Sequence, residues 1–291
     1  MIVEEGHRLE LLPNGGWDER IVGVQVGELV RSHVLFARDR VVVYDTLLGP
    51  LSGGWLARFV AERRGSRQVV VVISHSDWDH CWGNQCFSEL LVGSHECARR
   101  MLGAPGCQEL ARKRQEHSDY AAVEVVAPSL RFEGDLELDG GDLLMRFLAT
   151  PGHRPDHLAL YLPQLRTLLP GDAVETPFAL LDEADPVENF REMLDTLEKL
   201  AGLPCDWLLC NHAPPQAGNQ LILDNLAYYR TWLQLAQGED SLEALLERFP
   251  FPGGPEFYRD EHRRIGAAAL KAAQILPAVA TRPPGAGAGE P

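Results

Sequence analysis

The chain lacks features that would place it in several large protein classes. No apolar run approaches the roughly eighteen residues of a membrane-spanning helix. The six cysteines form no CxxC pair, and residues 1–10 are charged, without the apolar run of a secretory signal. We therefore expect reduced thiols and a cytoplasmic protein. Positive charge is scarce, since 27 Lys and Arg face 42 Asp and Glu and the formal net charge is -15, which disfavours a nucleic-acid partner.

What the chain has is enough apolar sequence for a sizeable core. Its 291 residues are 45% hydrophobic and 24% charged, which suits one large α/β domain or a domain with a helical appendage. Periodicity predicts alternating elements. The predicted strands cover residues 21–26, 33–37, 41–44, 69–73, 123–126, 136–138, 143–148, 167–169 and 206–210, and the predicted helices cover 55–64, 95–102, 219–236, 241–249 and 256–275.

A dense group of potential metal ligands follows the apolar segment 69–73. The group lies within six residues, directly before the apolar part of the next segment, and consists of His75, Asp77, Asp79 and His80. The β-branched segment 69–73 predicts a strand buried on both faces, so the group lies where the chain leaves a sheet. A solvated charged loop would explain these residue types but not this position. The pattern therefore predicts a metal site.

Three later strand ends each add one candidate ligand. His153 and Asp172 each follow a predicted strand and a Pro-Gly turn, and His212 follows the last predicted strand. Together the candidates offer only nitrogen and oxygen donors, with no cysteine. Such a set suits two divalent ions, one of them zinc or iron, with water completing each coordination shell.

In this order, the motifs resemble the signature of the metallo-β-lactamase-fold superfamily. That signature is His-x-His-x-Asp-His, then Pro-Gly-His, then Gly-Asp, then a late Gly-His or Asn-His. The matching segments here are 75–80, 151–153, 171–172 and 211–212, and Tyr44-Asp45-Thr46 resembles an early Ile-Asp-Thr element. Four ordered motifs are far more specific than any single one.

The resemblance implies an α/β fold, a four-layer αββα sandwich, with a dinuclear metal site at one edge and hydrolytic activity. It implies metal ligands in two sets: His75, Asp77 and His153 for one ion, Asp79, His80 and His212 for the other, and Asp172 bridging them. Asp79 and Asp172 are the implied catalytic residues, with Asp79 orienting a metal-bound hydroxide. The implied substrate is a small ester, thioester, lactone or related molecule, and the implied metal is zinc.

Asp77 stands where the signature has its second histidine. A carboxylate is harder than an imidazole and adds negative charge, so iron or manganese becomes an alternative to zinc. Members with a carboxylate at this position include di-iron proteins, which makes a redox protein of the same fold the alternative to a hydrolase. Asp is also shorter than His. A further alternative is therefore that Asp77 binds metal only through a water and that the site holds one ion in practice. A metal-binding module without activity is the third alternative.

The residues around the ligands and after them have plainer predictions. His157 is expected to be a partly buried histidine bonded to backbone, and Asp45 to accept a hydrogen bond from the ligand loop. We predict a domain over residues 1–218, a helical appendage over 219–282 and a disordered tail over 283–291. The appendage is expected to pack on the sandwich, with covering the active-site mouth or forming a homodimer as alternatives. The expected partner is a small-molecule substrate, without nucleic acid or membrane.

Overall fold

Two mixed β-sheets, packed face to face, form the framework of the protein. The computed structural model describes residues 3–4, 6–239 and 241–275. The eight strands of the first sheet lie in chain order: β1 (Val3–Glu4), β2 (His7–Leu11), β3 (Ile21–Val26), β4 (Val30–Phe36), β5 (Arg40–Tyr44), β6 (Gln68–Val72), β7 (Leu90–Ser94) and β8 (Leu130–Phe132). The six strands of the second sheet are β9 (Leu136–Asp139), β10 (Leu144–Ala149), β11 (Leu158–Leu162), β12 (Thr167–Leu169), β13 (Trp207–Leu208) and β14 (Gln216–Ala217).

Pairing in the first sheet changes direction at β5. Strands β1 to β5 are antiparallel, whereas β5 to β8 are parallel. The parallel strand β6 is buried over Val69–Val72 between two neighbours, which is why it is β-branched throughout. The second sheet is antiparallel except for β12 and β13.

Helices cover the outer face of each sheet. They are α1 (Pro50–Arg63), α2 (Trp78–Cys81), α3 (His95–Leu102), α4 (Ala104–Glu116), α5 (Pro186–Ala201), α6 (Gln220–Ala236), α7 (Leu242–Arg248) and α8 (Glu256–Ala272). One apolar cluster lies between the sheets and includes Val42, Val72, Phe147 and Leu160. A second joins the first sheet to α1 and α3, and a third joins the second sheet to α5, α6 and α8. The predicted αββα sandwich is confirmed.

Most predicted elements are present, often one to a few residues longer or shorter. Helix α3 has the predicted bounds, and the Ser94 hydroxyl caps it by accepting from Cys97 N at 3.0 Å. The strand predicted over residues 123–126 is wrong. Its β-branched residues do not pair with a strand, because side chains take its backbone groups: Val126 O accepts from Asn84 Nδ2 and Val123 O from Arg114 Nη2.

Three close contacts at glycine residues position the ligand loops. A Cβ on Gly53 of α1 would lie 2.5 Å from Gly83 Cα, and one on Gly83 would lie 2.0 Å from Thr46 O. Only glycine lets α1 and the segment after α2 approach this closely. Gly171 has φ 59°, and a Cβ there would lie 2.4 Å from His157 Nε2. Glycine therefore lets Asp172 sit directly against His157.

The helices of the predicted appendage lie on the second sheet. Residues of α6, α7 and α8 share one apolar cluster with α5 and with strand residues such as Leu148 and Leu168. The domain boundary at residue 218 stays a prediction, and the predicted tail at 283–291 lies outside the described residues. None of the six cysteines, all within the described part, forms a disulfide. No described helix is both long and apolar enough to span a bilayer.

Candidate metal centre

The predicted ligands all follow strands that end at one edge of the sandwich. The segment from His75 to His80 leaves β6 and enters α2, whose first residue is Trp78. His153 follows β10, Asp172 follows β12 and a short 3-10 turn begins at Gly171. The structure brings the seven predicted ligands together as two groups of three, with Asp172 between them.

The first group consists of His75, Asp77 and His153. Asp77 Oδ2 lies 3.6 Å from His75 Nε2 and 3.3 Å from His153 Nε2. His75 is fully buried and His153 nearly so, while the Asp77 side chain is 21% exposed. Despite its short side chain, Asp77 reaches the two histidines.

The second group consists of Asp79, His80 and His212. Asp79 Oδ2 lies 3.3 Å from His212 Nε2 and 3.7 Å from His80 Nε2, and the two Nε2 atoms are 3.2 Å apart. His80 is fully buried, whereas Asp79 and His212 are partly exposed. Each group thus combines one fully buried histidine with a partly exposed carboxylate.

Asp172 lies between the groups. Its Oδ2 is 3.5 and 3.6 Å from the Nε2 atoms of His75 and His153, and 3.2 Å from those of His80 and His212. One carboxylate therefore touches both groups, which is the arrangement of a bridging ligand. Its Oδ1 is buried and has no hydrogen-bond partner among the described residues.

All four histidines point Nε2 at the centre because their Nδ1 atoms are occupied. Nδ1 acceptors are Ser74 Oγ for His75 (2.9 Å), Asp45 Oδ2 for His80 (2.8 Å), Leu180 O for His153 (3.3 Å) and Leu29 O for His212 (2.5 Å). Such partners fix the tautomer in which Nε2 carries the free lone pair. Asp45 Oδ2 also accepts from Ser74 Oγ and Asn211 Nδ2, which confirms the predicted hydrogen bond from the ligand loop.

The centre is a cluster of acceptors that fits divalent metal ions. With Nδ1 donating outward, a neutral histidine turns the lone pair of Nε2 toward the carboxylate oxygens, so that a proton or a metal ion is needed between them. His75 Nε2 is buried, with no hydrogen-bond partner in the described part of the chain. Ligands held at 2.0–2.2 Å by one tetrahedral ion lie about 3.4 Å apart, and the donor separations here are 3.2–3.7 Å. The donor chemistry and the spacing both suit metal.

The electrostatics of the centre favour cations. Burial would raise the pKa of Asp172, but the imidazoles of His212, His80 and His75 hold it well below its usual value. Burial would lower the pKa of His80, but Asp172, Asp79 and Asp45 raise it well above its usual value. Carboxylates that hold protons on adjacent histidines would stabilise a metal ion in the same place.

His157 positions Asp172 through a hydrogen bond to its backbone. Its Nε2 accepts from Asp172 N at 3.0 Å, and its Nδ1 is 2.7 Å from Thr150 Oγ1. Burial and the neighbouring His75 and His153 hold its pKa well below the usual value, so it stays neutral and able to accept. The predicted bond to backbone is confirmed, and the residue is fully rather than partly buried.

Sequence reasoning missed two charged residues beside the ligands. Arg154 Nε donates to Asp77 Oδ1 at 2.7 Å. Glu175 lies close enough to His153 and Asp172 to form a third cluster with them, and burial and Asp172 raise its pKa to about 7. Arg154 directly follows a predicted ligand, and Glu175 follows another by three residues. Those positions were the only signals in the sequence.

A cavity of about 910 Å³ opens onto the centre. Asp77, Asp79, His153, Asp172 and His212 line it, together with residues of α4 and α8. This volume is typical of sites for small molecules. From α8, Tyr258 donates its hydroxyl to Glu175 Oε2 at 2.9 Å, so a helix of the predicted appendage reaches the cavity.

Comparisons of structure place the fold among known proteins. The chain is similar to a metallo-beta-lactamase family protein from Thermus thermophilus, at 21% identity and TM-score 0.60, with 93% of each chain covered. It is similar to a metallo-beta-lactamase from Pontibacter korlensis, at 17% identity and TM-score 0.57, over 77% of this chain and 99% of that one. It is also similar to a stereoselective inverting sec-alkylsulfatase from Pseudomonas sp., at 16% identity and TM-score 0.60, over 93% of this chain but 50% of that one.

Comparisons of sequence give the family. A search of curated proteins finds no match. The family model described as the Metallo-beta-lactamase superfamily matches residues 27–212, a range that includes every predicted ligand from His75 to His212. The match covers more than half of the chain. The chain belongs to the metallo-beta-lactamase superfamily.

Proposed function

We propose that the protein is a metal-dependent hydrolase of a small ester, thioester, lactone or related substrate. The observation that carries the proposal is the convergence of both ligand groups on Asp172 beside the cavity. Hydrolysis is the usual activity of the superfamily, and the unpaired cysteines support a cytoplasmic location. The proposed partner is the small-molecule substrate alone.

The proposed chemistry depends on two divalent ions, zinc first, with iron or manganese as alternatives. Such ions would lower the pKa of a water held between them and polarise the scissile carbonyl of the substrate. Asp172 would hold the two ions at a fixed separation, because its Oδ2 touches both groups. Asp79 lines the cavity and would accept a hydrogen bond from the attacking water, fixing its direction.

The walls of the cavity suit a substrate of moderate size with an apolar part. Trp78 and Phe257 line it, and Phe257 is 58% exposed. Each arginine in the lining is already paired with a carboxylate, as Arg100 is with Asp182 and Arg264 with Glu261. Among the described lining residues, no arginine is thus left over as a dedicated anion receptor, which favours a neutral acyl group over a strongly anionic one.

One observation favours a second candidate, a di-iron redox protein. Asp77 lies within ligand distance of His75 and His153, which gives the first group one more hard oxygen donor than the signature has. Assays of the protein loaded with different metals separate the two candidates.

The test uses metal-stripped protein reloaded separately with zinc, manganese or ferrous iron. Each form is assayed against chromogenic esters, thioesters, lactones, alkyl sulfates and phosphodiesters, and for consumption of oxygen or nitric oxide with an electron donor. We expect metal-dependent hydrolysis of an acyl substrate that is absent from the stripped protein. Redox turnover of the iron form without hydrolysis of any acyl substrate would overturn the proposal in favour of the second candidate.

A further inference from the structure

The two oxygens of Asp77 have different partners. Oδ2 faces the first group, 3.3 Å from His153 Nε2 and 3.6 Å from His75 Nε2. Oδ1 accepts a hydrogen bond from Arg154 Nε at 2.7 Å. The hydrogen bond from Arg154 therefore holds the carboxylate in the orientation that points Oδ2 at the first group.

Arg154 is itself fixed in place. Its Nη1 donates to Asp182 Oδ2 at 3.1 Å, and Arg100 Nη2 donates to the same oxygen at 2.8 Å. Asp182 is 2% exposed, and its Oδ1 accepts from Ala184 N at 2.7 Å. A planar guanidinium held at two edges by carboxylates has little freedom to turn. Asp77 is thus oriented by a rigid partner rather than by a mobile surface arginine.

The same contact balances the charge of the first group. An aspartate at the position of the second signature histidine adds one negative charge to a centre that already holds Asp79 and Asp172. The guanidinium of Arg154, bonded directly to Asp77, adds one positive charge. The pair is neutral overall, as a neutral imidazole would be.

We propose that Asp77 and Arg154 act as one unit, a charge-neutral substitute for a histidine ligand in which Arg154 is the positioning residue for a one-oxygen metal ligand. The inference rests on the proposed metal centre but not on the identity of the substrate. Without Arg154, the Asp77 carboxylate is free to turn away from the ion or to bind through both oxygens, and this loss of position outweighs the gain of one negative charge. Metal binding in the first group then weakens, and its selectivity moves from zinc toward manganese and iron.

The test measures metal in three variants of the full-length protein: Arg154→Gln, Asp77→His and the double variant. Each is loaded from a mixture of zinc, manganese and ferrous iron, dialysed against graded chelator, and assayed by elemental analysis. Arg154→Gln is expected to lose one of the two ions at a chelator concentration about 10–100-fold lower than the wild type does. Its retained metal is expected to contain a larger share of manganese and iron.

The double variant is the decisive measurement. Asp77→His alone removes the carboxylate bonded to Arg154 Nε and leaves this cation beside the first ion with Asp182 as its carboxylate partner, so we expect weaker binding there. Adding Arg154→Gln removes that cation, and the double variant is expected to retain more metal than either single variant. A purely structural role for Arg154 predicts the opposite, since two disruptive changes would then add.

Two controls keep the result interpretable. Arg191→Gln removes an exposed arginine of α5 that pairs with Glu188 and Asp195, and should leave metal content unchanged. If Arg154→Gln does not fold, Arg154→Lys keeps the charge without the planar fork and should show an intermediate loss. Unchanged chelator resistance and metal ratio in the Arg154 variants, or strictly additive losses in the double variant, would overturn the inference. A wild type that binds no divalent metal would instead refute the proposed function itself.

Discussion

The two groups of the metal centre are held in place by opposite charges. In the second group, His80 Nδ1 donates to the buried carboxylate of Asp45 at 2.8 Å. In the first group, the contact that fixes a ligand comes from a cation, Arg154, which donates to Asp77 at 2.7 Å. A carboxylate that accepts from Nδ1 makes Nε2 a stronger electron-pair donor to metal. A guanidinium that donates to a carboxylate ligand instead reduces the negative charge that this ligand offers to the metal.

This difference predicts unequal affinities. The second group combines a carboxylate-backed histidine with Asp79, whose charge no arginine offsets in the described contacts. The first group has its one carboxylate neutralised by Arg154. We therefore expect the second group to bind its ion more tightly, and the first group to decide which metal completes the centre.

The largest expected effect comes from removing the residue that the two groups share. Asp172→Ala takes away the oxygen that touches all four Nε2 atoms, so both ions should be lost and metal content should fall to background by elemental analysis. The matched control is Asp206→Ala, an exposed aspartate paired with Arg166. Equal metal stoichiometry in Asp172→Ala and the control would refute a bridging role.

A change at Asp45 should weaken mainly the second group, because Asp45 bonds directly to His80 and reaches His75 only through Ser74. Asp45 has φ 68°, a conformation that asparagine tolerates, so Asp45→Asn leaves the backbone unstrained. In the wild type, Asp45 Oδ2 accepts from His80, Ser74 Oγ and Asn211, and Oδ1 accepts from Ser74 N, whereas the amide of asparagine accepts through only one of these two atoms. Affinity for the second ion should fall about 10–100-fold, measured by chelator competition.

The combination with the first-group variant checks which ion is lost. Asp45→Asn and Arg154→Gln should each release a different ion, so the two changes together should release both at low chelator concentration. If the combination releases no more metal than one single variant, the groups do not have separate supports.

Lowering the pH should narrow the difference in metal affinity between the two groups. Burial lowers the pKa of His212, but Asp172 and Asp79 raise it well above its usual value, as they do for His80, and the pKa of His153 is raised as well. Below these raised values the histidines hold protons that metal must displace, so metal affinity falls as the pH falls and recovers as it rises.

The second group has two such histidines with strongly raised pKa values and the first group has one that is raised less. Each displaced proton lowers affinity about tenfold per pH unit. Stepwise metal titrations between about pH 8 and about pH 6 should therefore show the two affinities converging. Parallel decreases for both ions would contradict the assignment of these protons.

The ligand set was predictable because each member follows a strand in a short, recognisable motif. The local sequence shows that His153 follows a Pro-Gly turn and that Asp172 follows another. The fold then brings the strand ends together at one edge of the sandwich. Local sequence does not state long-range partners. Arg154 meets Asp77 across 77 positions and Asp182 across 28, and no periodicity links them.

The strand prediction for residues 123–126 was wrong for the same reason, because contacts with other segments cannot be predicted from local sequence. Residues 123–126 have the β-branched composition of a strand, but their backbone groups bond to the side chains of Asn84, 42 positions away, and Arg114 on α4. Likewise, helical spacing predicted α8, but not that Tyr258 on it would reach Glu175. Propensities and motifs describe one segment at a time, whereas each of these contacts joins two segments.

The smallest expected effect lies outside both groups. Tyr258→Phe keeps the ring that packs edge-on against Phe178 and removes only the hydroxyl that donates to Glu175. Metal content should be unchanged, because neither group loses a ligand or a support. Losing one hydrogen bond should lower kcat/KM about 2–10-fold for a substrate found in the panel. That hydrogen bond also opposes the raised pKa of Glu175, so its loss should raise this pKa and move the pH profile of activity upward. A loss of metal in Tyr258→Phe would show instead that α8 supports the metal centre and not only the cavity.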